Sequence, residues 1–65
     1  MLSIEIRREL DFRRAANDAM AHPSLRRWAK AALLYRRVAR PSIFSRMARE
    51  DVDRELVSAL RRRTA

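Results

Sequence analysis

The chain contains no glycine, and that absence limits what it can fold into more than any residue it does contain. Most tight hairpins need residues with positive φ, and the phosphate-cradling loops of the Walker and dinucleotide-binding types are built on glycine. Such loops are excluded here, and strands are not expected. The most abundant residues, Arg, Ala and Leu, lose little side-chain freedom in a helix, as do Met and Glu. An all-α fold is therefore expected.

Two prolines divide the sequence. Pro23 follows His22 and Pro41 follows Arg40. Proline lacks an N–H and is tolerated only in a helix's first turn, so each marks a boundary. The expectation is a single small domain over residues 1–65, a compact arrangement of three helices at roughly 4–21, 23–39 and 42–63. A domain of this length buries only about 60% of the surface its unfolded chain exposes, so its core must be thin. With no Cys and one His, neither a disulfide nor a zinc cluster can staple it.

The three segments differ in clarity. In the first, Leu2, Ile4 and Ile6 alternate as a strand would, whereas Glu9–Arg13 and Arg14–Asp18, each four apart, support a helix burying Phe12, Ala16, Ala19 and Met20. In the second, Leu25, Trp28, Ala31, Ala32, Tyr35, Val38 and Ala39 fall within an arc of roughly 140° and form a core-facing stripe. In the third, Ile43 and Met47 do not share a face with Val52, Leu56, Ala59 and Leu60, a mismatch that a break near residues 49–51 would resolve.

Charge carries the functional information. Residues 1–18 balance four Arg against four acids, and residues 48–65 carry a net of one positive charge. Residues 19–47 carry seven positive charges and no acid, nearly the whole of the net +8. Arg26, Lys30, Arg37 and Arg40 line up opposite the apolar stripe with Arg27 at their edge, forming a cationic ridge. A coding preference would explain 15 Arg against one Lys, but not an acid-free run from residue 19 to residue 49.

Chemistry is not expected. No nucleophile stands beside a base, no carboxylate pair shares an apolar face, and no ligand-spaced His occurs. The chain reads as a non-enzyme with no cofactor or metal, and His22 as a cap for the helix beginning at Pro23. The longest apolar run, residues 31–35, is far short of the roughly 20 residues of a membrane span, and the first residues lack a signal peptide's basic start. A cytoplasmic, unprocessed protein without a transmembrane segment is expected.

The leading expectation for the ridge is nucleic acid, DNA or RNA, or a nucleoprotein such as the ribosome. Guanidinium groups bind phosphate bidentately, and clustered cations gain affinity by releasing condensed counterions. Trp28 and Tyr35 lie on the apolar stripe and are read as core rather than as stacking platforms. A helix-turn-helix built from residues 42–49 and 53–63 is disfavoured, because Asp53 and Glu55 would meet the phosphates. The alternative is a small helical subunit or regulator docking on an acidic surface of a larger protein. Leu33, Leu34, Ile43 and Met47 would then form the apolar centre of the contact, and a homo-oligomer stays open.

Overall fold

A computed structural model describes residues 3–64. Three helices pack against one another: α1 (Ile4–Ala21), α2 (Leu25–Arg36) and α3 (Ile43–Thr64). Ion pairing of Asp18 with Arg27 at one end and a hydrogen bond from Arg8 to the Arg37 carbonyl at the other make α1 and α2 antiparallel. Glu9 meets Ser45, and Trp28 meets Asp53, so α3 runs in the direction of α1. No strand occurs among the described residues. Ile4 and Ile6 are helical, while Leu2 of the alternating trio lies outside the described residues.

Each helix starts on a serine. Ser3 Oγ accepts from the Ile6 N–H at 3.2 Å, Ser24 Oγ from Arg27 at 3.1 Å and Ser42 Oγ from Ser45 at 3.3 Å, satisfying amides that the first turn leaves without partners. Both prolines stand one residue ahead of such a cap, in Pro23-Ser24 and Pro41-Ser42. They set the approach of the chain rather than the first helical turn. His22 is not the cap of the second helix; it ends α1, with its backbone N–H on the Asp18 carbonyl at 2.9 Å. A residue before proline is kept out of the α region, and His22 takes φ −135°, ψ 78° accordingly.

Both limits of the second helix, and the continuity of the third, differ from what is read off the sequence: α2 begins at Leu25 rather than at Pro23. The second helix ends at Arg36 rather than near residue 39, tightening through bonds from the Arg37 N–H to Leu34 and from the Val38 N–H to Tyr35. The third is continuous through residues 49–51. The mismatch that called for a break is resolved without one, because Ile43 and Met47 stay 59% and 55% exposed and need not face the core. A single α3 also removes any helix-turn-helix within residues 42–63.

The core is built mainly of methyl groups. Phe12 is fully buried among Ala15, Ala16, Ala19, Ala31 and Val52, with Trp28, Leu34, Tyr35, Val38 and Ala48 packed half-buried around them. Alanine lets the three backbones approach closely but removes little area from water, so Phe12 supplies much of what is buried. Its ring meets Tyr35 edge to face, with centroids 5.0 Å apart. Met20, expected on this face, is instead exposed.

Among the described residues, one polar side chain is fully buried, that of Ser45. Its hydroxyl donates to Glu9 Oε1 at 2.7 Å while the Ser42 N–H donates to the same oxygen at 2.8 Å. Glu9 thus caps α3 from another helix. The Ser45 hydroxyl first, then the Ser42 donors, with a smaller contribution from Arg13, hold the carboxyl at about 2, well below its ordinary 4.5.

Phe12→Ala is expected to cost about 3–5 kcal/mol, read as a shift in the urea midpoint. Glu9 binds its proton less readily folded than unfolded, so its contribution is complete above pH 4.5 and is lost as pH falls toward 2. In denaturation midpoints followed over that window, Glu9→Gln should be less stable than the parent at neutral pH. The two curves should converge in acid; parallel curves would show that the carboxylate does not stabilise the fold.

Candidate functional site

The five ridge cations do not share one helix. Arg26, Arg27 and Lys30 stand on α2, Arg37 is its C-terminal cap, and Arg40 lies in the connection to α3. The helix ends early because the segment after it is fastened to α1: Arg8 Nη1 donates to the Arg37 carbonyl at 3.5 Å, and Glu9 takes the Ser42 amide. All five are exposed. Among the described residues, the side chains of Arg26, Lys30, Arg37 and Arg40 make no hydrogen bond or ion pair, whereas Arg27 Nε sits 3.1 Å from Asp18 Oδ2.

Acid-free in sequence, the ridge is not acid-free in space. Packing of α1 against α2 opens three shallow grooves along their seam, of about 290, 410 and 420 Å³. Arg8, Asp11, Leu34 and Arg37 line the first; Asp11, Arg14, Asp18, Lys30 and Leu34 the second; and Asp18, Arg26, Arg27 and Lys30 the third. The seam therefore presents six cations and two carboxylates. Arg8 and Arg14, which the sequence places in a charge-balanced segment, belong to the cationic face. Their signal was present: Arg8, Asp11, Arg14 and Asp18 recur at intervals of three and four, one side of a helix. What the sequence does not give is that this side faces α2.

The two aromatic residues of α2 are occupied elsewhere. Trp28 and Tyr35 turn toward α3, where the Arg49 guanidinium lies 5.5 Å from one ring centre and 5.6 Å from the other. Asp53 accepts the Trp28 indole N–H at 2.7 Å and lies 3.1 Å from Arg49 Nε. This cluster closes the α2–α3 contact and leaves no stacking platform on the cationic seam.

The apolar residues set aside for an interface separate. Leu34 packs against the core, while Leu33, Ile43 and Met47 are more than half exposed, together with Leu25 at 64% and Phe44 at 67%. Among the described residues no group of three His, Asp or Glu side chains is placed to hold a metal ion, and no helix is long and apolar enough to cross a membrane. No protein-family model, curated protein or solved structure matches this chain significantly.

Proposed function

We propose that the protein is a non-enzymatic, cytoplasmic binding protein that holds nucleic acid, or a nucleoprotein such as the ribosome, against the α1–α2 seam. The observation that carries this reading is the excess of six cations over two carboxylates along one exposed seam, with Arg26, Lys30 and Arg37 of the seam, and Arg40 just beyond it, making no ion pair among the described residues. A phosphate backbone suits such a surface, because each contact releases counterions and guanidinium groups grip phosphate oxygens in pairs. Asp11 and Asp18 temper the field. They would weaken a uniformly charged strand and confine contacts to the α2 side.

A second reading is favoured by Leu25 and Leu33, apolar and more than half exposed on the cationic helix. In it, α2 docks on an acidic surface of a larger protein, with the leucines packed and the Arg residues paired around them.

If Arg26, Lys30, Arg37 and Arg40 each neutralise one duplex phosphate, log K should fall with log salt at a slope near −3.6, about 0.9 per contact. Asp18→Asn releases Arg27 and should steepen that slope by about 0.9. Fluorescence anisotropy across a salt series measures both, and no detectable affinity for DNA or RNA at low salt would remove the nucleic-acid reading.

Exchanging Arg26, Arg37 and Arg40 for Lys together separates the two readings. A diffuse phosphate contact should lose about tenfold or less, since counterion release depends on charge. Arg residues seated among a partner's carboxylates act as hot spots costing about 2 kcal/mol or more each, so a protein complex should dissociate. The measurement is affinity for the partner that co-purifies, with circular dichroism confirming the helices.

A further inference from the structure

On the side of α3 turned away from the core, Ile43, Met47, Glu50, Arg54, Val57 and Arg61 follow one another at intervals of four, three, four, three and four. That spacing is a heptad seam, and at about 100° per residue it lies opposite the buried Ser45 and Val52. Its three apolar members are not used by this chain's core. Ile43 is 59% exposed, Met47 55% and Val57 45%, while Glu50 is exposed and Arg54 only makes a surface pair with Asp51 at 3.4 Å.

The order of residues along the seam selects its partner. It is apolar at Ile43 and Met47, charged at Glu50 and Arg54, apolar at Val57 and charged again at Arg61, which faces Ile43 when Glu50 faces Arg54. We propose that a second copy of the chain covers it, the two α3 helices pairing antiparallel about a two-fold axis near residue 52. Met47 then meets Val57 of the other copy, and Glu50 meets Arg54 of the other copy. Symmetry forms each contact twice, as an isologous interface requires. A parallel pair would set Glu50 on Glu50 and Arg54 on Arg54, so charge rejects that orientation. The centre of the seam is neutral, so it offers an acidic partner nothing that the rest of this strongly basic chain does not offer better. The Glu50–Arg54 pairs also favour this register, since sliding by one heptad either way breaks both and leaves Arg54 against Ile43 or Val57 of the other copy.

The test is the mass of the full chain across a concentration series, by sedimentation equilibrium. The parent should move from 7.7 kDa toward twice that value as concentration rises. Glu50→Arg places like charges across the axis and should raise the dimer dissociation constant at least tenfold, and adding Arg54→Glu should restore it. A parent that stays monomeric throughout, or single and double variants that behave alike, would overturn the proposal.

Because the chain has no Cys, orientation can be read separately by cross-linking. Chains carrying Met47→Cys and Val57→Cys should join to each other when mixed under oxidation. Met47→Cys alone should not pair with itself, because antiparallel packing puts the two positions about 15 Å apart, at 1.5 Å per residue. That exceeds the roughly 7 Å that a disulfide spans between Cα atoms. Rapid self-linking of Met47→Cys would mean a parallel pair and defeat the proposal even if Glu50→Arg failed to fold.

Discussion

Glu9 Oε1 accepts hydrogen bonds from both the Ser42 amide and the Ser45 hydroxyl, at 2.8 and 2.7 Å, and the course of the chain after residue 36 depends on this one oxygen. A helix N-terminus carries amides without partners and a partial positive charge, and a carboxylate answers both. Here the carboxylate comes from 33 residues earlier rather than from the first turn of α3, which holds no acid. The start of α3 is thereby fastened to the second turn of α1. With Arg8 on the Arg37 carbonyl, the same part of α1 fixes both ends of the connection. Where α2 stops and how Arg37 and Arg40 are displayed follow from that attachment.

The alanines matter for the same geometry. Helices whose contact residues are Ala15, Ala16, Ala19 and Ala31 approach until Phe12 fills the space between them, and long side chains are pushed to the margins. The charged margin of the α1–α2 contact becomes the cationic seam. On the other margin of α2, toward α3, the Arg49 guanidinium lies over both the Trp28 and Tyr35 rings, and Asp53 accepts from both the indole and the guanidinium. Arg49 is thus spent inside the molecule, while Arg26 and Lys30 remain outside it. Identical residue types take different roles according to which helix each margin meets.

Much of this was legible in the sequence, and the limits were physical. Period and composition gave three helices and the buried positions Phe12, Ala16 and Ala19, because those signals are local. The caps are present in Pro23-Ser24 and Pro41-Ser42, but proline alone marks a helix start only loosely, and it is the serine after it that sets the beginning of α2 at Leu25. The supposed break in α3 came from assuming that every apolar residue seeks this chain's core. Ile43 and Met47 do not, and a continuous helix with an outward apolar seam is the simpler outcome. Of the candidate site, the cations of α2 and of the segment after it were visible, whereas Arg8, Arg14 and the counter-charges Asp11 and Asp18 reach the ridge only through the antiparallel pairing of α1 and α2. Pairings between helices depend on contacts far apart in sequence, which no period within a segment encodes.

A core of one phenylalanine, four alanines and a valine removes little apolar surface from water, yet Leu25, Leu33, Ile43, Phe44 and Met47 are left exposed. A chain of this size without disulfide or metal has few ways to add stability, and association is among them, because binding to the folded state alone shifts the folding equilibrium. The outward seam of α3 and the cationic seam between α1 and α2 use different faces, so pairing through one leaves the other accessible. A two-fold axis through α3 would carry two cationic seams on one rigid body. An extended polyanion engaging both would bind the second at the high effective concentration set by the first, without any new contact. Stability and affinity would then have a common origin: the same residues that leave the monomer thinly packed would join two weak electrostatic surfaces into a stronger one.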